Sequence, residues 1–237
     1  MLAFIDGCVS HTGLVREINE DAFLVRSDLG LWAVADGMGG HNAGDVASQL
    51  ALDCIDGLVA SGCSLTEAVI RAHERIIEQS HEIASIMGTT VVALRVVDRE
   101  FEVVWAGDSR AYLCHDRRIT RVTHDHSYVQ RLIDNGQLAE AAAQHHPMRS
   151  VLTLALVGSE PKGLRPSHVD GIVEVGDCWV LCSDGLTEHV TDYEILMAVQ
   201  SCRGCDELCG ALVNLALERG GTDNITVVAV SCASVPK

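Results

Sequence analysis

Acidic residues recur in this chain where an apolar run meets a turn. The run LWAVA leads directly into Asp36, and a glycine-rich stretch follows it. Comparable junctions occur at Asp108, Asp184, Asp223 and the adjacent pair Glu20 and Asp21. A carboxylate beside a buried strand is costly unless it is paired or bound to a cation. Because 17 Lys and Arg face 33 Asp and Glu, a metal site shared by these acids is the economical explanation.

Oxygen ligands of this kind favour hard cations, Mg²⁺ or Mn²⁺, over zinc. A tight turn at Asp36-Gly37 can direct both a carboxylate and the next backbone carbonyl to one ion. Two cations about 3.5–4 Å apart can share a carboxylate and activate a bridging water, which suits phosphoester hydrolysis. Each Asp-Gly pair taken singly is more often a structural turn, and we interpret Asp6-Gly7 and Asp56-Gly57 as such turns.

The composition predicts a globular protein with an aliphatic core. Its 237 residues are compatible with one domain, and 48% are hydrophobic but only 4% aromatic. A formal net charge of −16 argues against binding to nucleic acid or to an anionic membrane surface, and could favour basic partners. No apolar run approaches the ~20 residues of a membrane-spanning helix.

Ten cysteines and the lack of a signal-peptide pattern predict a cytoplasmic protein. The spacing of Cys202, Cys205 and Cys209 could indicate zinc. However, the segment 206–220 has the pattern of an amphipathic helix, and no second CxxC pair completes a site. We therefore expect buried free thiols.

The hydrophobic patterns predict blocks of strands that alternate with pairs of helices. Residues 44–59 form a helical pattern with an apolar stripe that includes Val46. A second helix begins after Ser64, where Glu67 fits a capping box. Residues 127–146 read as polar and helical, with a break at 135–136. Short polar connections between strands indicate hairpins, so we expect an α+β fold with two antiparallel sheets.

Seven ordered motifs resemble the metal-dependent serine/threonine protein phosphatases of the type 2C, or PPM, family, in its bacterial single-domain branch. The motifs are REINED (16–21), ADGMGGH (35–41), GTT (88–90), GDSR (107–110), DHS (125–127), SDGL (183–186) and TDNIT (222–226). The resemblance implies one domain over 1–237. It also implies a four-layer α-β-β-α sandwich with two central antiparallel sheets, and a flap at about 127–160.

The same resemblance implies a site for two Mn²⁺ or Mg²⁺ ions. By this resemblance Asp36 bridges the two ions and the carbonyl of Gly37 binds one of them. Asp184 and Asp223 complete the other. The nucleophile is then a hydroxide that bridges the metals, and no side chain attacks the substrate.

Further roles follow from matched positions in the motifs. Asp21 and Glu20 hold metal-bound waters, and Asp108 helps to bind a third, weaker metal. Arg16 grips the substrate phosphate, for which a planar guanidinium offers paired donors. His41 is our candidate proton donor to the leaving oxygen, although a metal-bound water could serve instead.

The implied function is hydrolysis of phosphoserine and phosphothreonine in proteins, opposing a serine/threonine kinase. We expect a monomer whose substrates have basic residues near the phosphosite, with no nucleic-acid or membrane partner. Two alternatives remain open: a binding protein that keeps the fold without the chemistry, and a hydrolase of small phosphate esters. The first is disfavoured because none of the metal acids is lost. The second is weakly disfavoured by the negative charge, which repels free nucleotides.

Overall fold

Two antiparallel sheets form the centre of the fold. The computed structural model describes residues 2–39, 43–159 and 163–234. The first sheet has the order β1 (Leu2–His11), β12 (Ile225–Ser234), β11 (Cys178–Cys182), β7 (Arg110–His115) and β8 (Arg118–Arg121). The second has the order β10 (Ser167–Ile172), β6 (Glu100–Ala106), β5 (Val91–Val97), β3 (Leu31–Gly39), β4 (Met87–Thr89) and β9 (Leu156–Val157), with β2 (Asp21–Arg26) also paired to β3.

Helices cover the outer face of each sheet. The helices α1 (Ala43–Ala60) and α2 (Leu65–Ile83) share a buried apolar cluster with the second sheet. On the first sheet lie α5 (Asp184–Thr187), α6 (Asp192–Ser201) and α7 (Cys205–Glu218). A third cluster, which includes Trp32 and Trp179, fills the space between the sheets. The predicted four-layer α-β-β-α sandwich is therefore confirmed.

Strand β3 shows why the run before Asp36 is apolar at every position. Leu31, Ala33 and Ala35 face the helices, and Trp32 and Val34 face the other sheet. Because both faces are buried, the strand has no polar alternation. Asp36 is the first residue of β3 that is not fully enclosed.

The predicted helix at 44–59 is confirmed as α1, and its broad apolar face, in which the pattern also includes Ala47, Ala51 and Ile55, packs on the core except at Val46. Val46 is 47% exposed, whereas Ala47, Ala51 and Ile55 are completely buried. The small alanine side chains let the helix approach the sheet closely, so they line the contact in place of the larger valine. At the start of α2, Ser64 Oγ accepts a hydrogen bond from the amide of Glu67, as predicted.

The polar segment after β8 also folds as predicted. It contains two short helices, α3 (Tyr128–Asp134) and α4 (Glu140–Ala143), and α3 ends at Asn135 before the left-handed Gly136. Hydrogen bonds from Tyr128 N to Val151 O and from Thr153 N to His126 O close the base of this segment. None of the described helices is long and apolar enough to cross a bilayer.

All ten cysteines are free thiols, as expected. Cys205 and Cys209 are buried on α7, and their Sγ atoms donate to the carbonyls of Ile5 and Gly7 in β1. Burial raises the pKa of the Cys205 and Cys209 thiols, so these groups behave as small packing residues.

The interpretation of Asp6-Gly7 and Asp56-Gly57 as turns is wrong. The first pair lies inside β1 and the second inside α1. Asp6 accepts hydrogen bonds from Ser27 Oγ and Trp32 Nε1, so it fastens β1 to the other sheet. Gly7 is required by close packing, since a Cβ there would lie 2.5 Å from the amide nitrogen of Asp206.

This packing predicts opposite effects for two alanine substitutions. Gly7→Ala should destabilise the fold by about 2 kcal/mol, because α7 must move away from β1. Gly57→Ala is the matched control: it lies on an exposed face of α1 with no atom within 4 Å of a built Cβ, and should stabilise by about 0.5–1 kcal/mol. Urea unfolding measures both. Equal effects would contradict the packing argument.

Candidate active site

The fold brings acids from both sheets to one end of the sandwich. Asp21 and Asp36 are directly opposite each other in the pairing of β2 with β3. Residues directly opposite in such a pair have Cβ atoms about 4.5–5.5 Å apart. Asp108 lies two residues after the end of β6, and Asp184 lies two residues after the end of β11, as the first residue of α5. Asp223 lies just before β12. All five are half-buried.

These carboxyl groups raise one another's pKa. Burial, and then the charges of Asp21, Asp184 and Asp108, raise the pKa of Asp36 well above its usual range. Burial is also the main cause at the other three, raising the pKa of Asp21 to about 7 and of Asp184 to about 6, and raising that of Asp108 well above its usual range. The side chains of Asp36 and Asp184 lie next to each other.

The backbone of Asp36 is fixed by the two threonines of the GTT motif. Its carbonyl accepts hydrogen bonds from Thr89 Oγ1 at 2.9 Å and from the amide of Thr90 at 2.8 Å. Its amide donates to Thr90 Oγ1 at 3.1 Å. Thr90 Oγ1 also lies 2.7 Å from Ser109 Oγ, next to Asp108. The hydroxyl group of Thr90 therefore contacts both the backbone of Asp36 and the side chain of the residue that follows Asp108.

Gly37 is enclosed by backbone. A Cβ at this position would lie 2.1 Å from the carbonyl oxygen of Gly44 and 2.5 Å from that of Glu20. The amide of Gly37 donates to the same Glu20 carbonyl, and Glu20 Oε1 accepts from the amide of Gly44 near the start of α1. Glu20 thus anchors α1 against β3 at Gly37, and only glycine fits between them. The predicted tight turn at Asp36-Gly37 is wrong, because β3 continues to Gly39 and pairs with β4 there.

Asn224 is a positioning residue that sequence reasoning missed. Its side chain is buried, and Nδ2 donates to the carbonyls of Thr12 and Ile18 at 2.9 Å each. Its Oδ1 accepts from the amide of Glu20 at 2.8 Å. One side chain therefore closes the loop of residues 12–18 and holds it beside Asp223. Its position inside the TDNIT motif, immediately after an acid, was the available signal.

Arg16 extends from that loop toward the acids. Its Nη2 donates to Asp223 Oδ2 at 2.7 Å, and its side chain is 53% exposed. The hydrogen bond and charge of Asp223 raise the pKa of Arg16, so it is a permanent cation. The structure therefore brings this predicted phosphate-binding residue into contact with one predicted metal ligand.

A buried ion pair joins two further motifs. Arg110 of GDSR donates to both carboxylate oxygens of Asp125 in DHS, with Nη2 to Oδ2 at 2.6 Å. Two hydrogen bonds join Gly107 and His126. The amide of His126 donates to the carbonyl of Gly107, and the amide of Gly107 donates to His126 Nδ1. These contacts fix the turn that carries Asp108.

The carboxylate oxygens of these acids are chemically suited to bind hard cations. Asp21 Oδ2 accepts from Ser183 Oγ at 2.7 Å, whereas its buried Oδ1 has no hydrogen-bond partner among the described residues. A buried acceptor without a partner is costly, and a cation or an ion-bound water would satisfy it. The place between the Asp36 and Asp184 side chains likewise suits a divalent cation, which would offset the repulsion between two carboxylates.

The side chains nevertheless have to rotate before they ligate an ion. Within residues 2–39, 43–159 and 163–234, no group of three or more His, Cys, Asp or Glu is arranged to hold a metal. Asp36 and Asp184 are turned toward each other, and Asp223 toward Arg16. The rearrangement that ion binding requires involves side chains only.

A cavity of about 790 Å³ opens beside the acids. Asp108 and Asp184 form part of its wall. One side is formed by residues of α3, α4 and the stretch up to Ser150, and the other by residues 187–192. Arg149 Nε and Glu188 Oε1, on the two sides of this cavity, lie 3.5 Å apart. The predicted proton donor, His41, lies outside the described residues.

Comparisons with known proteins identify the family of this chain. Residues 10–132 match the family described as Protein phosphatase 2C. Serine/threonine protein phosphatase PstP of Mycobacterium tuberculosis is 40% identical over 227 residues, covering 92% of this chain but 43% of PstP. Serine/threonine phosphatase stp of Listeria monocytogenes is 35% identical over 240 residues, covering 92% of each chain. The chain thus spans less than half the length of PstP.

A solved structure shows the same architecture. The catalytic domain of PstP in complex with two manganese ions superposes with a TM-score of 0.89 and 35% identity, covering 99% of this chain and all of that one. The chain belongs to the protein phosphatase 2C family, a class of hydrolases that act as serine/threonine protein phosphatases. The resemblance read from seven motifs is therefore confirmed.

The raised pKa values predict the pH dependence of stability in EDTA. A carboxyl group whose pKa is higher in the folded chain than in the unfolded chain contributes to stability at low pH. This contribution is complete below about pH 4, the pKa in the unfolded chain, and is lost as the pH rises. Because Asp184 and Asp21 titrate at about 6 and 7, the loss should fall between about pH 5 and about pH 8. Urea unfolding at the two pH values measures it, with an expected loss of at least about 1 kcal/mol.

Asp36→Asn is the matched comparison for this experiment. Removing one charge from the group lowers the repulsion on Asp21 and Asp184, so the variant should lose less stability over the same pH range. An identical pH dependence in both proteins would show that the loss arises elsewhere in the chain.

Proposed function

We propose that this chain is a Mn²⁺- or Mg²⁺-dependent phosphatase of phosphoserine and phosphothreonine in proteins. The observation that carries the proposal is the half-buried group of acids, drawn from both sheets, beside the exposed guanidinium of Arg16. The relatives support it, since PstP and stp are named serine/threonine phosphatases and the PstP catalytic domain binds two manganese ions.

We assign the two ions to the residues around Asp36. Asp36 would bridge them, the carbonyl of Gly37 would bind one, and Asp184 and Asp223 would complete the other. The contacts of Asp36 with Asp21 and Asp184 support this assignment. When bound, the ions supply the Lewis acidity that activates a water for attack on phosphorus.

The remaining acids would bind waters attached to the two ions, or a third ion, and would not bind the two ions directly. Asp21 has a buried oxygen without a partner, which suits a hydrogen bond from an ion-bound water. Glu20 uses Oε1 on the amide of Gly44, so its second oxygen would hold a water. Asp108 would help to bind a third, weaker ion at the wall of the cavity.

Arg16 would bind the phosphate of the substrate. Only one of its nitrogens takes part in the contact with Asp223, so other N–H groups remain for phosphate oxygens. The loop carrying it is held by Asn224, so the guanidinium is positioned before substrate arrives. His41 would supply the proton to the leaving serine or threonine oxygen, with an ion-bound water as the other candidate.

The segment around α3 and α4 would act as a flap over the cavity, within a single domain that spans 1–237. The flap faces residues 187–192 across the opening, where a protein substrate would enter. The net charge of −16 favours substrates with basic residues near the phosphosite. In the cell such an activity would oppose a serine/threonine kinase.

The direct test is hydrolysis of a phosphothreonine peptide with Mn²⁺, with EDTA, and by Asp36→Asn with Mn²⁺. We expect phosphate release only in the first case, with a loss of at least about 100-fold in the variant. Asp170→Asn, an exposed change on β10, is the matched control and should keep full activity. Activity that survives EDTA and Asp36→Asn would overturn the assignment.

Substitutions of Arg16 test phosphate binding separately. Arg16→Ala should lower kcat/KM by about 10- to 100-fold and weaken inhibition by inorganic phosphate, because the paired donors are lost. Arg16→Lys should recover only part of this, since an ammonium group cannot form the same paired contact. Arg75→Ala, an exposed change on α2, is the control. Unchanged phosphate inhibition in Arg16→Ala would rule out the assigned role.

A further inference from the structure

We propose that Leu14 and Val15 form a docking surface for an aliphatic side chain that flanks the phosphorylated residue of a protein substrate. The proposal rests on the proposed function and names the substrate class more closely. Leu14 and Val15 are each 65% exposed, and they immediately precede Arg16. Two adjacent aliphatic side chains are therefore presented to solvent next to the predicted phosphate-binding group.

The exposure of these side chains is imposed by a well-anchored loop. The amide of Leu14 donates to the carbonyl of Gly221 at 2.7 Å, and the amide of Gly13 donates to His11 Nδ1 at 2.9 Å. Gly13 has a φ of +82°, and a Cβ there would lie 2.2 Å from the carbonyl oxygen of Asp223. Together with the Asn224 contacts, these bonds prevent Leu14 and Val15 from folding inward.

The position of the loop decides what can cover it. One or two residues of extended chain span at most about 7 Å, so Leu14 and Val15 lie within reach of the residues flanking a phosphate held by Arg16. The residues that flank a phosphate held by Arg16 would then lie beside this surface. An aliphatic residue of the substrate would then remove apolar area on both chains from water, which favours binding.

Two exposed aliphatic residues, Ile172 and Val175, lie at the opposite end of the sandwich. Ile172 pairs with Glu100 at the end of β10 distant from the acids, and Val175 precedes the start of β11. They are exposed by 55% and 52%. They provide a control of matched size that a substrate at the acids does not contact.

The test compares two phosphothreonine peptides that differ only in the residues next to the phosphothreonine, which are valine in one and serine in the other. Wild-type protein with Mn²⁺ should prefer the valine peptide by about tenfold in kcat/KM. Leu14→Ser/Val15→Ser should lose this preference, Leu14→Ile/Val15→Ile should keep it, and Ile172→Ser/Val175→Ser should keep it. Hydrolysis of p-nitrophenyl phosphate should be the same in all four proteins.

Each other outcome overturns the docking proposal for a stated reason. An equal loss on both peptides and on p-nitrophenyl phosphate would mean that the loop only positions Arg16. Equal turnover of both peptides by wild type would mean that no aliphatic residue docks there. A dimer in wild type that dissociates in Leu14→Ser/Val15→Ser would assign the surface to a second copy. If wild type hydrolyses the phosphothreonine peptides, these failures leave the proposed function standing; if it hydrolyses only p-nitrophenyl phosphate or neither substrate, both fail.

Discussion

The structure depends on one electrostatic constraint, which is that several carboxyl groups are held together and half-buried at one end of the sandwich. Asp36 faces Asp21 across two paired strands and lies next to Asp184, the first residue of α5. Burial and like charge both disfavour the ionised forms. The folded chain must therefore either keep protons on these carboxyl groups or bind cations. Bound cations would activate the water that the proposed phosphatase uses as its nucleophile.

The rest of the site keeps these acids in place with groups that do not neutralise them. Hydroxyl groups of Thr89 and Thr90 hold the backbone of Asp36, and Ser183 holds one oxygen of Asp21. Such neutral donors fix geometry while leaving the negative charge available to an ion. The buried Arg110 cation is instead directed to Asp125, away from a direct pair with the other acids.

Local patterns were sufficient to predict two antiparallel sheets and to identify the acids at the ends of apolar runs, whereas the order of the four layers followed from the resemblance to the phosphatase family. Continuous apolar runs identify strands buried on both faces, and an acid at the end of such a run is conspicuous. Contacts between distant segments were not predictable in this way. The three hydrogen bonds of Asn224 join residues about two hundred positions apart, and the close approach that requires Gly7 comes from α7 at the other end of the chain. The side of α1 that is buried was predicted wrongly at Val46, because periodicity does not show how closely a helix packs.

The most direct measurement of the central claim is an anomalous difference map from a crystal of this protein soaked in Mn²⁺. The account predicts two peaks about 3.5–4 Å apart with the Asp36 carboxylate between them. Asp184 and Asp223 should both have turned toward one of the peaks. Manganese peaks only at other places on the chain would contradict the account.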